Sequence, residues 1–214
     1  MIIVGGGSSS RFGGDKLTVI VGGKPLVTHA VEATREAVDH CVLVCRPDQV
    51  ATFEALGLGV DLTTGGATRT QSEMAGLAAL GGGYDLVGIH DAARPLVPMA
   101  LVEELFSAAD EVGGAVPVLT TDHTVVDRRS LLPMSNVVVV QTPQVFRGPD
   151  LLAAFVRAAR TTFEGHDTAD VVQRFGDLDI AAIPGDPGNI KVTHRRDLEA
   201  VRAVIEGPSH SEPG

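Results

Sequence analysis

The sequence predicts an α/β fold, a doubly wound and mostly parallel sheet, and three observations carry that expectation. Short apolar runs alternate with amphipathic stretches of helix length along most of the chain. Those apolar runs are nearly continuous, as strands buried on both faces require. Glycine, 25 of 214 residues, suits a fold rich in strand-to-helix turns, while the 44% apolar content argues against disorder.

Each element can be justified in order. "MIIV" reads as a first strand running into a Gly/Ser loop, and Pro25 to Val38 has helical spacing through Leu26, Ala30, Ala33 and Ala37. "CVLVC" follows as a strand, then a helical stretch to Leu56 and the strand "VDLTT". A helix from about Thr70 to Leu80 leads to "LVGIH", and Met99 to Val112 is helical before the strand "GAVPVL". From Thr120 to Gln141, two β-prone runs flank a polar turn with no helix between them, which predicts a hairpin or arm. A helix from Pro149 to Phe163, the strand "DIAAIP" and a helix near Arg195 to Ile205 complete one domain over 1–206. The last residues, 207–214, are expected to be a disordered tail.

The net charge of −10 offers no basic footprint for nucleic acid or an acidic membrane, although local Arg and Lys can still bind an anion. Cys41 and Cys45 fall four apart on one strand face, too far apart to bond within it, and read as reduced core thiols. No apolar run is long enough to span a bilayer, and no secretory leader opens the chain, so a cytoplasmic protein is expected.

Ligands of such sheets bind beyond the carboxyl ends of the strands, so the loops there carry the most weight. "GGGSSSRFGGDK" could cradle phosphates with the backbone of Gly5, Gly6, Gly7 and Ser8, while Arg11 and Lys16 supply charge. It is neither a Walker A loop nor a good dinucleotide fingerprint, since Ser10 holds the third glycine position. "TTGGATRTQS" is a second Gly turn, by itself as often an ordinary turn as a binding loop. "HDAARP" ends a core strand in Asp91 and Arg94: these are a helix cap and a surface pair, or a Mg²⁺ ligand and its neighbour opposite a phosphate loop. "QTPQVF" presents a hydroxyl and two amides at a strand end, which Pro143 stops, and "GDPGNIKVT" places Lys191 after the last strand.

In order and spacing these pieces resemble the 2-C-methyl-D-erythritol 4-phosphate cytidylyltransferases of the non-mevalonate isoprenoid pathway, over nearly the whole chain. "HDAARP" followed by "TPQ" is shared with the alditol-phosphate cytidylyltransferases. "SSRFGGDK" alone also looks like the molybdenum-cofactor guanylyltransferases, which carry a different sequence in place of "HDAARP". The resemblance implies a Rossmann-like nucleotidyltransferase fold with a protruding β-arm, CTP and a phosphorylated polyol as substrates, and Mg²⁺ as cofactor. It implies that Arg11, Lys16 and Lys191 act on the phosphates, and that Gly66, Arg69 and Ser72 serve the cytosine. Asp91 would meet Mg²⁺ and the acceptor. Arg94 and Thr142 would lie on the acceptor side, with Thr124 arriving on the arm of a second subunit in a homodimer.

The departures cluster on the acceptor side. His123-Thr124-Val125-Val126 replaces the family's Asp-Thr-x-Lys, Met134 stands where an arginine is presented to the acceptor phosphate, and "HDTAD" keeps only Asp167 and Ala169 of an acidic sequence. Ala67 stands where many relatives carry an acidic or polar residue. Another acceptor, such as ribitol 5-phosphate or a phosphonate, and a non-catalytic nucleotide-binding relative are therefore the competing expectations. A nicotinamide oxidoreductase would need the fingerprint this loop lacks.

Overall fold

The computed structural model describes residues 1–7, 11–121, 124–127 and 133–207. In chain order the elements begin β1 (Ile2–Val4), β2 (Ile20–Val21), β3 (Lys24–Pro25), α1 (Leu26–Arg35), β4 (Val42–Cys45), α2 (Val50–Ala55) and β5 (Asp61–Thr64). They continue α3 (Arg69–Leu80), β6 (Leu86–Asp91), α4 (Met99–Val112), β7 (Gly113–Thr120), β8 (Val138–Val140) and β9 (Gln144–Arg147). Last come α5 (Gly148–Ala158), α6 (Thr168–Phe175), β10 (Asp179–Pro184) and α7 (Arg195–Ile205).

The main sheet runs β10-β7-β9-β6-β1-β4-β5, with β8 paired to the second half of β7. Its β1–β4, β1–β6, β4–β5 and β7–β10 pairs are parallel, whereas β9 is antiparallel to both β6 and β7. The strand order reverses around β1, between β4 and β6, which is where open α/β sheets leave a crevice at their carboxyl ends.

Burial follows the period of two along each strand. Ile3, Leu43 and Cys45 pack with Val27 and Val31 of α1 and Leu101, Val102 and Leu105 of α4. Ile2, Val42 and Val44 face the other way, onto Leu77 and Leu80 of α3 and Leu151 and Phe155 of α5. Both faces being covered is why the strands read as continuous apolar runs. A third cluster joins Phe12, Val21 and Leu26 to Val192, Leu198 and Val201, fastening α7 and the segment before it against the first loop. Cys41 and Cys45 are free and buried, and burial pushes the Cys41 thiol up to about 11. Among the described residues no helix is long and apolar enough to cross a membrane.

Several expectations need correction. The helix expected from Pro149 to Phe163 ends at Ala158, where Ala158 O accepts from Thr161 Oγ1 at 2.8 Å and closes the turn. α6 was not expected. It is an eight-residue helix started by Asp167, whose side chain accepts from Asp170 N at 2.9 Å. Pro143 lies between two strands: β8 ends at Val140 as expected, but Gln144–Arg147, read as a turn, is β9 in the middle of the sheet. In the region expected as an arm, Val118–Thr120 pairs with Val138–Val140, and Val126 bridges Pro133. His123 lies outside the described residues, as do Ser8 and the tail from 208.

Candidate active site

A cavity of about 580 Å³ opens beyond the carboxyl ends of β1, β4 and β6. It is bordered by Gly5, Gly6, Gly7, Arg11, Lys16, Gly66, Arg69, Ser72, Asp91 and Lys191, so four loops far apart in sequence converge there.

The first loop leaves β1 by extending its ladder, with Gly5 N donating to Val44 O at 2.7 Å. A Cβ on Gly5 would sit 3.0 Å from that carbonyl oxygen and 2.9 Å from Leu17 Cδ1, so the close approach requires glycine. Asp15 ends the loop, its side chain accepting from Leu17 N at 3.2 Å. Lys16 is half-buried, and its ammonium donates to Val192 O at 2.8 Å. Burial, reinforced by the nearby Lys191, lowers the Lys16 pKa from its ordinary value. Arg11 is exposed at the rim.

The second loop turns from β5 into α3, where Thr68 caps the helix by accepting from Gln71 N. Ser72 Oγ donates to Thr68 O at 2.8 Å, and a Cβ on Gly65 would meet that hydroxyl at 2.7 Å. A Cβ on Gly66 would lie 2.4 Å from Gln71 Cβ. Gly65 therefore lets the turn close over the serine, and Gly66 lets it close over Gln71.

Asp91, 5% exposed, ends β6 at the centre of the cavity. Arg69 Nη1 donates to Oδ1 at 2.7 Å, Lys191 Nζ lies 2.7 Å from Oδ2, and Arg94 Nε lies 3.6 Å from Oδ2. Burial alone would raise this carboxyl, but Arg69, Lys191 and Arg94 outweigh it and hold it well below the usual carboxylate range. Arg94 points below the cavity, donating to Asn189 O at 2.7 Å. Asn189 Nδ2 in turn donates to Thr142 O at 2.9 Å, and Val192 N donates to Ala93 O at 2.8 Å. These bonds staple the "NIKVT" loop to the "HDAARP" turn and set Lys191 against Asp91.

Thr142 is also internal. Its Oγ1 accepts from Asp91 N at 3.0 Å and sits 3.2 Å from His90 Nδ1. His90 Nε2 lies 3.0 Å from Arg94 O, a carbonyl that can only accept, so the geometry assigns the proton to Nε2 and leaves Nδ1 to accept from Thr142. Arg94 and Thr142 thus hold Asp91 in place from beneath, whereas Thr124 is exposed and does not border the cavity.

Buried His90 gives a measurable pH effect. Burial lowers it from 6.5 to about 4, so between these values only the unfolded chain binds the proton. Its stabilisation is therefore present above pH 6.5 and is lost as pH falls toward 4, on the order of 3 kcal/mol. Urea unfolding at pH 7, 5.5 and 4.5 is expected to show this slope, reduced in His90→Gln; equal slopes in both proteins would exclude the assignment.

Residues that the sequence reading passed over complete the site. Arg46, just after β4, lies 3.4 Å from Gly7 O and is clamped by Asp48 at 3.0 Å and Asp15 at 3.3 Å. Its position after a strand was the available signal. Asn189 and His90 stand inside quoted motifs without having been given roles. Glu73 carried no signal beyond its spacing from Arg69.

The sequence matches the family described as "IspD: 2-C-methyl-D-erythritol 4-phosphate cytidylyltransferase" over residues 1–207. A bifunctional enzyme IspD/IspF of Rhizorhabdus wittichii is 40% identical over 211 residues, covering 93% of this chain and 54% of that protein. The 2-C-methyl-D-erythritol 4-phosphate cytidylyltransferase of Solibacter usitatus is 32% identical over 220 residues, covering 94% and 90%. The chain therefore spans about half the length of the bifunctional relative and most of the other. Among solved structures, the 2-C-methyl-D-erythritol 4-phosphate cytidylyltransferase of Thermus thermophilus superposes with a TM-score of 0.81 at 31% identity, covering 96% of this chain and 98% of that one. A match on this scale in both sequence and fold places the chain in the IspD family, the 2-C-methyl-D-erythritol 4-phosphate cytidylyltransferases.

Proposed function

We propose that the chain transfers CMP from CTP to 2-C-methyl-D-erythritol 4-phosphate and releases pyrophosphate. The observation that carries this reading is the cation-lined cavity around Asp91, bordered by two glycine turns and by Arg11, Lys16 and Lys191. A phosphate monoester loses its second proton at about pH 6, so the acceptor oxygen is already a nucleophile at neutral pH. It attacks the α-phosphorus of CTP, a new P–O bond forms, and the bond to the β-phosphate breaks. No general base is needed; alignment and charge neutralisation are. Arg11, Lys16 and Lys191 supply the positive charge. Ser72 and the backbone around Gly66, which border the cavity, would supply the acceptors for the amino group of cytosine.

Mg²⁺ fits this donor set. An ionised carboxylate offers about four lone-pair sites, so Asp91 can accept a cation while it holds Arg69 and Lys191. When bound, the ion neutralises charge on the triphosphate. Arg94 and Thr142 serve the acceptor through Asp91, and a second copy of the chain would bring Thr124. The exposure of Val138, Val139 and Met134 (42%, 51% and 53%) supports such a homodimer.

Met134 in place of a basic residue favours one competing reading, transfer to another polyol phosphate such as ribitol 5-phosphate. Pyrophosphate release with Mg²⁺ and CTP, measured with each acceptor and with none, decides between them. Turnover on methylerythritol phosphate is expected; turnover on ribitol 5-phosphate alone would move the acceptor. CTP binding without turnover on either would leave a non-catalytic relative.

A further inference from the structure

We propose that Glu73 is a positioning residue for this reaction, its carboxylate holding Arg69 from behind so that the guanidinium is presented to Asp91. The inference rests on the functional reading above and names a residue that reading does not use. Arg69 lies between two carboxylates: Nη1 donates to Asp91 Oδ1 at 2.7 Å, while Nε lies 2.8 Å from Glu73 Oε1. Thr168 Oγ1, on α6, donates to the same Glu73 oxygen at 3.0 Å and fixes it from the far side.

From spacing alone, Arg69 and Glu73 would be an exposed i,i+4 pair on the first turns of α3, with little effect on anything. The structure instead buries Glu73 to 1% exposure and leaves its Oε2 without a hydrogen-bond partner. A buried carboxylate with an unsatisfied oxygen carries a desolvation cost, against which stand its contacts with Arg69 and Thr168. Burial pushes the Glu73 carboxyl up to about 7 against the opposing pull of Arg69, so the charged form that anchors Arg69 gains population as pH rises through that value.

The consequence reaches the cavity. Shared between two anions, Arg69 neutralises Asp91 only in part and cannot swing out toward the triphosphate. Asp91 thereby keeps charge for Lys191, and its carboxylate stays in one orientation.

Glu73→Gln retains the shape and an oxygen to accept from Thr168, and removes only the charge. Its kcat for pyrophosphate release is expected to fall about 10-fold through misplacement, with KM for CTP within about 2-fold and a lowered thermal stability, since one partner of a buried pair is removed. In Arg69→Met, adding Glu73→Gln should change kcat no further, because two residues that act through one contact are non-additive. Rotational exchange of the Arg69 guanidinium about Nε–Cζ, read by NMR, should be faster in Glu73→Gln than in the wild type, because an ion pair without hydrogen-bond geometry holds Nε. Wild-type kcat in Glu73→Gln, or an undiminished further loss on the Arg69→Met background, overturns the proposal. If the wild type itself releases no pyrophosphate, the functional reading fails, and the Arg69 exchange comparison alone decides this inference: equal exchange overturns it, faster exchange upholds the anchoring.

Discussion

Asp91→Asn is expected to lower kcat/KM for pyrophosphate release on the order of 10³-fold, the scale of losing a preorganised charge at a transferring phosphoryl group. Arg69, Lys191 and Arg94 all point at this carboxylate, and it is nearly buried. Asparagine fills the same space and can still accept from Arg69, but its amide nitrogen would face a cation. Lys191 then loses the anion that holds it at 2.7 Å and swings away from the phosphates. Stability should fall as well, on the order of 3 kcal/mol, because one partner of a buried ion cluster has been removed. That stabilisation is present above the ordinary carboxylate pKa and is lost only as pH falls through the depressed value of the folded state. Denaturant unfolding at pH 7 alongside steady-state kinetics checks both halves. A variant within tenfold of wild-type kcat/KM would remove Asp91 from the centre of the mechanism.

The sheet was legible because both its faces are covered, so each strand announces itself as an apolar run. β9 was harder to see: Pro143 just before it looks like a terminator, and only the pairing of Gln144–Arg147 with both β6 and β7 makes it a strand. α6 is too short to show a helical period, yet it brings Thr168 to Glu73. In the site, the residues that face the cavity were legible as types, since Gly, Lys, Arg and Asp at strand ends suit a phosphate ligand. The supports were not. His90, Thr142, Asn189 and Glu73 matter through partners 47 or more positions away or through burial, and neither is written in local spacing. Arg94 and Thr142 show the distinction: their presence in a motif was evident, but that they act beneath Asp91 depends on where Asn189 and Val140 run.

Lys16→Met should separate charge from scaffold. The side chain crosses from the first loop to the last, its ammonium 2.8 Å from Val192 O, and lies with Lys191 at the edge of the cavity. Burial and Lys191 both disfavour its charge, as the lowered pKa records, so the fold carries this cation at a cost. A depressed lysine destabilises the native state wherever it is charged, below its folded pKa. Removing the charge relieves that penalty, while losing the bond to Val192 O costs about 1 kcal/mol. The two effects oppose one another, and the unfolding free energy is expected to stay within about 1 kcal/mol of wild type. Activity has no such compensation. A cation beside the α-phosphate is most valuable when charge builds on the pentacoordinate phosphorus, so kcat should fall by about 10²- to 10³-fold. A kinetic loss at unchanged stability would mean that the protein tolerates an unfavourable charge in order to meet a more negative transition state. A matching loss of stability would instead make Lys16 a strut between two loops, and would pass its chemical role to Lys191 and Arg11.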